Sequence, residues 1–144
     1  MAGSNILKSL MEITLKNLQK KTLIPQGKIL KAAKATFSKL KLAQSALSIV
    51  FVGARLMRAV NKKYLGHDYV TDVITFDLGG GSGEIIICPQ VAGVNAREYK
   101  NSTEHEIILY VIHGILHLAG YDDHSPQDIH QMRLMENKLL KNIK

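Results

Sequence analysis

Apolar and polar residues alternate in MEITLKN: Met11, Ile13 and Leu15 against Glu12, Thr14 and Lys16, the period of a half-buried strand. After Pro25 the period lengthens. Ile29, Leu30, Ala33 and Phe37 share one helical face while Lys28, Lys31 and Lys34 point away. A helix is therefore predicted from Pro25 to Leu40, with the proline near its start, where a missing donor costs little. ALSIVFVG (46–53) is a β-branched run closed by Gly53, a buried strand, and a basic helix follows to about Tyr64. VTDVITFDL (70–78) predicts another strand. The glycines of GGGSG (79–83) make a flexible turn into a further one, GEIIIC.

A phosphate loop is the weak alternative for those glycines, since it needs GxxxxGK[ST] and a following helix, and here the turn leads into β-branched residues. From about Ser102 to Leu118 a helix carries Ile107, Ile108, Tyr110, Val111, Ile115 and Leu116, with Glu104 and Glu106 in its first turn, where the helix dipole favours acids. The last helix opens on Ser125 as N-cap, Pro126 at N1 and Asp128 at N3. Ile129, Met132, Met135 and Leu139 form its core stripe. The order βαβαββαα predicts an α/β fold, a single-domain α/β sandwich with a small mixed sheet, over residues 1–144.

Composition narrows the function classes. One cysteine, Cys88, in an apolar run where a buried thiol is expected, excludes an internal disulfide and a CxxC zinc module, so a metal must be held by His, Asp or Glu. No apolar run approaches the roughly 20 residues that span a bilayer, and Glu12 interrupts the segment where a signal peptide would be apolar. A cytoplasmic protein with no membrane contact is expected. The net charge of +7 divides unevenly: residues 1–63 carry thirteen Lys and Arg against Glu12 alone, while the rest carry six against eleven acids. A polyanion is drawn to the first part and a cation to the second.

The candidate chemistry sits in HGILHLAGYDDH, residues 113–124. His113 and His117 are one helical turn apart, so both imidazoles can reach one ion. Gly120 can reverse the chain in a left-handed conformation and bring Asp123 or His124 round as third ligand. Three ligands leave a fourth position for water, as in a catalytic zinc site and not a structural one. The pattern HxxxHxxGxx(H/D) also occurs in metzincin proteases, where a glutamate beside the first histidine is the base. Here that position is Gly114, so peptide hydrolysis by that route is disfavoured, and the catalytic base is unassigned.

These residues resemble the YbeY endoribonucleases of bacterial ribosomal RNA maturation, whose signature is HGxLHLxGYDH. NKKYLGHDYVTDVITF (61–76) is similar to the family's N-x-x-Y-R-G-K-D-x-x-T-D-V-L-S-F, and Gly83 to Ile87 to its G-D-I-x-I strand. The resemblance covers residues 46–135. It implies a metal helix beside a cleft, one Zn2+ per chain, and a single-strand-specific endoribonuclease acting in 16S rRNA 3′-end maturation and ribosome quality control. RNA, in particular ribosomal RNA or ribosomal subunits, is the implied partner, with no DNA expected.

Three departures bear on the site. Leu65 and His67 replace the family's arginine and lysine, a loss that Arg55, Arg58, Lys62 and Lys63 on the preceding helix could offset as RNA-binding residues. An extra residue precedes the last histidine, which places Asp123 in the third-ligand register and leaves His124 as its competitor. Among the other polar residues, Thr71 and Asp72 are expected to fix the start of a strand, Asn61 to end a helix, His105 and His130 to face solvent, and Glu106 is a candidate partner for a ligand imidazole. A ribosome-associated RNA-binding protein with a structural metal and a metal-dependent peptidase are the competing readings.

Overall fold

The computed structural model describes residues 11–43 and 46–143; the other positions of the domain expected over 1–144 lie outside the described residues. Its elements are β1 (Glu12–Asn17), α1 (Gln26–Leu40), β2 (Ala46–Phe51), α2 (Ala54–Leu65), β3 (Val73–Gly79), β4 (Ser82–Ile87), α3 (Pro89–Glu98), α4 (Thr103–Leu118) and α5 (Pro126–Ile143). The strands form one sheet in the order β1-β2-β4-β3; β1 and β4 each pair parallel with β2, and β3 returns antiparallel on β4. It is a mixed α/β domain, as the alternation of periods predicted.

The sheet is covered on both faces. Against one, Ile29, Ala33 and Phe37 of α1 and Ile107, Val111 and Ile115 of α4 bury Leu47, Ile49, Ile85 and Ile87. On the other, Met57 of α2 packs with Val52, Ile74, Ile86 and Cys88. Ile85, Ile86 and Ile87 therefore face core in alternation, which is why GEIIIC lacks the polar alternation of β1. Cys88 is fully buried, as its apolar setting suggested.

Helix α3 is an element the pattern did not predict. Its buried residues are Pro89, Ala92 and Ala96, while Val91 is only partly buried and Val94 is exposed, so its buried face carries little hydrophobic signal. The glycine turn is tighter than expected: Gly79 pairs with Ser82, and Gly79, Gly80 and Gly81 all have positive φ. Only Gly80 and Gly81 separate the two strands, as in the two-residue hairpin loops that favour glycine.

Candidate metal centre

Helix α4 carries the site. Ser102 caps it by accepting from the His105 backbone N–H at 3.0 Å, and its apolar face is committed to the sheet, so the His113 and His117 side chains turn along the flank toward α5. The residue between them in the metzincin pattern points the other way. A Cβ on Gly114 would stand 2.6 Å from Ile85 Cδ1 and 3.0 Å from Thr75 Oγ1. Position 114 is thus packed tightly against the sheet, and a glutamate there could neither fit nor reach the imidazoles.

The helix ends at Leu118. Tyr121 N–H donates to the Leu116 carbonyl and Gly120 N–H to that of His117, both at 3.0 Å, with Gly120 at φ 99°. This left-handed stop sends the chain back past the imidazoles, the role anticipated for that glycine. Helix α5 then starts where Ser125 Oγ accepts from the Asp128 N–H at 3.0 Å, so the intervening turn has fixed ends. Within it, Asp123 Oδ2 comes to 3.5 Å from His117 Nε2 and 3.9 Å from His113 Nε2, and the two Nε2 atoms are 3.0 Å apart. His124 takes a different direction. Its side chain is 83% exposed and its Nε2 sits 3.1 Å from Asp122 Oδ1.

These separations suit a metal ion. Tetrahedral zinc with bonds of about 2.0–2.1 Å spaces its donors by roughly 3.3 Å, and 3.0, 3.5 and 3.9 Å bracket that value. Two imidazole nitrogens and a carboxylate oxygen turned toward one another need a proton or a cation among them. His113, His117 and Asp123 could hold a metal ion.

The orienting group is Glu136 on α5, which sequence reasoning missed. Its Oε2 lies 2.8 Å from His113 Nδ1, and because a carboxylate only accepts, Nδ1 carries the proton and leaves Nε2 free to face the cluster. The available signal was an acid at an otherwise buried position of the α5 stripe, one turn after Met132. Burial pulls the His113 imidazole down, yet the hydrogen bond and charge of Glu136, with Asp123 and Asp72, outweigh it, and His113 sits above its ordinary value. For His117 the balance is reversed: burial and the His113 charge hold it below its ordinary value, against the charges of Asp123 and Asp122 and the hydrogen bond to Asp123.

The centre opens onto a cleft of about 1070 Å³ running along α4 between α5 and the start of β3. Glu106 lines the cleft and is only 4% exposed, but its Oε1 accepts from Asn101 Nδ2 at 3.3 Å; the imidazole partner is Glu136 in its place. Tyr110 beside it accepts from Asn95 Nδ2 at 2.7 Å, and burial pushes its phenol well up. Asp72 fixes the strand start as expected, its Oδ1 accepting from Val73 N–H at 2.7 Å. Asn61 does not end α2, which stops at Gly66 in a left-handed conformation; it is buried and donates to the Tyr69 carbonyl at 3.0 Å. His130 is exposed as expected, while His105 is half-buried on the cleft wall.

Arg55, Arg58, Lys62 and Lys63 are exposed on α2, away from the cleft lining, which Leu65 joins at the helix end. Arg58 Nε bonds Asp68 Oδ1 at 2.8 Å, and Lys62 is 3.8 Å from the same carboxylate.

An α/β sandwich presenting two imidazoles and a carboxylate at the head of an open cleft defines a protein with a candidate catalytic metal centre. A family model described as endoribonuclease YbeY matches residues 12–144, and the chain belongs to that family. It is 36% identical over 134 residues to the endoribonuclease YbeY of Chlorobium phaeovibrioides, covering 91% of this chain and 90% of that one. The endoribonuclease YbeY of Bacteroides fragilis is 36% identical over 114 residues, 77% of this chain and 80% of the relative. A solution structure of a Thermotoga maritima protein superposes with a TM-score of 0.61 at 28% identity, over 90% of this chain and 89% of that one. Among the described residues no helix is long and apolar enough to cross a membrane.

Proposed function

We propose that this protein is a zinc-dependent, single-strand-specific endoribonuclease, with one Zn2+ held by His113, His117 and Asp123. The observation that carries the reading is the convergence of those three donors beside an open cleft in a chain of the YbeY family. Bound zinc supplies a Lewis acid that lowers the pKa of a coordinated water and stabilises charge on a phosphoryl oxygen. Glu136 keeps the His113 ring in the tautomer that presents Nε2. Asp122 and His124, each with an atom within 4.8 Å of the Asp123 carboxylate, form an exposed imidazole–carboxylate pair beside the third donor that can pass a proton to or from the reacting phosphodiester.

Outside the cleft, the cations of α2 attract the RNA backbone. We further propose that the substrate is ribosomal RNA met in the cytoplasm, at 16S rRNA 3′-end maturation and in ribosome quality control. The test measures metal per chain and cleavage of a single-stranded RNA on the same sample. Near-stoichiometric zinc is expected, with cleavage that disappears on chelation and in His117→Ala and no cleavage of the matching duplex. RNA binding without cleavage at any metal loading would favour a structural metal in an RNA-binding protein.

A further inference from the structure

The segment between α2 and β3 is exposed but firmly held. Buried Asn61 serves it twice: its Nδ2 donates to the Tyr69 carbonyl at 3.0 Å, and its own carbonyl accepts from the His67 N–H at 3.3 Å. From outside, the Arg58–Asp68 pair ties the loop to the helix. What this clamp presents to solvent is aromatic. Tyr69 is 55% exposed, and its ring stacks on His67 with centroids 5.4 Å apart and planes 11° from parallel, while its Oη meets His67 Nδ1 at 3.1 Å. Tyr64, 59% exposed, stands on edge against Phe76 with Lys63 Nζ 5.3 Å from its centroid.

A surface tyrosine is ordinary by itself. Here a fully buried asparagine is spent on holding two near-parallel, offset rings in place, joined through Tyr69 Oη and His67 Nδ1 and both exposed to solvent. Arg58 and Lys62 meet Asp68, which lies between the two ring residues in sequence, Lys63 lies over Tyr64, and Leu65 and Thr71, at either end of the same segment, line the cleft. Flat aromatic faces, neighbouring ammonium and guanidinium groups, and continuity with a cleft match one polymer: single-stranded nucleic acid, whose bases stack while its phosphates meet the cations.

We propose that Tyr64, His67 and Tyr69 form a stacking platform for unpaired bases of RNA on their way into the cleft. His67, which costs the loop a lysine relative to the family pattern, thereby contributes a ring in place of a charge. The choice of RNA as ligand rests on the endoribonuclease reading; the platform itself is tested by binding.

The probe is a purine-rich single-stranded RNA of about twelve nucleotides. It is titrated against the protein with the metal chelated, and its cleavage is followed separately with zinc present. Tyr69→Ala is expected to weaken binding and raise KM by about fivefold or more, the loss typical of removing one base–aromatic stack, with kcat and zinc content unchanged. Tyr69→Phe keeps the ring and should restore binding to near wild type, which a purely structural role for the hydroxyl bond to His67 would not allow. A probe with abasic positions in place of its purines should bind wild type and Tyr69→Ala alike. Binding by Tyr69→Ala within twofold of wild type overturns the platform, even if the protein cleaves RNA. Tyr69-dependent binding without cleavage leaves the platform standing and overturns the nuclease reading.

Discussion

Two residues beside the turn after Gly120 compete for one coordination position, and their side chains point to different neighbours. Asp123 faces both imidazoles, whereas His124 turns out to Asp122. Asp123→Ala is therefore expected to lose zinc, with His124→Ala retaining it while losing part of its cleavage rate. Elemental analysis and single-turnover cleavage on both variants separate the two roles, and retained zinc in Asp123→Ala with loss in His124→Ala would reverse the assignment.

Glu136 acts through His113, so Glu136→Gln should weaken zinc about 10- to 100-fold, the usual effect of removing a ligand's orienting partner. The same variant has a signature without metal. Because His113 is raised in the folded protein, the stability it contributes is fully present below the unfolded imidazole value near 6.5 and is lost as pH rises through the folded one. His117, which is lowered, works with the opposite sign: its contribution is present above the unfolded value and lost as pH falls through the folded one. NMR titration of the metal-free protein should find His113 titrating above His117, and Glu136→Gln should bring the His113 midpoint down.

At the scale of elements, the decisive contact is that of α4 with the sheet. Gly114→Ala should cost about 1–3 kcal/mol of stability as an overpacked core contact, measured by denaturant unfolding. Since the nearest atom is Ile85 Cδ1, Ile85→Val in the same chain should recover part of that loss, a non-additivity expected only of residues in direct contact. Equal losses that simply add would mean that α4 shifts as a body. Ser125→Ala should cost about 0.5–2 kcal/mol by removing the α5 cap, and it should also slacken the turn that holds Asp123. Zinc affinity is therefore expected to fall with it.

Over the whole molecule the charge is divided: the cations of α2 are exposed outside the cleft, whose lining holds the acid-bearing metal centre. Affinity for single-stranded RNA should fall with salt at a slope of about −0.7 per phosphate contacted. Arg58 and Lys62 already share Asp68, so Arg55→Glu with Lys63→Glu should flatten the slope more than Arg58→Glu with Lys62→Glu. Neither pair should alter zinc content. A slope near zero in the wild type would remove α2 from the RNA surface.

The chain by itself determined whatever depends on residues close along it. Alternation in 11–17, helical spacing in 26–40, the His113–His117 turn, the reversal at Gly120 and the Ser125–Pro126 cap are local consequences of backbone geometry, and each is found in the structure. Much of the site was legible for the same reason, since three of its donors fall within eleven residues. Helix α3 escaped because its buried face is mostly alanine, too weakly apolar to leave a period. What only the tertiary structure decided depends on contacts between distant segments. Glu136 reaches His113 across 23 positions of chain, Gly114 is required by Ile85 and Thr75, and Asn61 is a buried clamp on a loop and not a helix stop. No periodicity encodes these pairings, because packing brings the partners together only after the elements that carry them have formed.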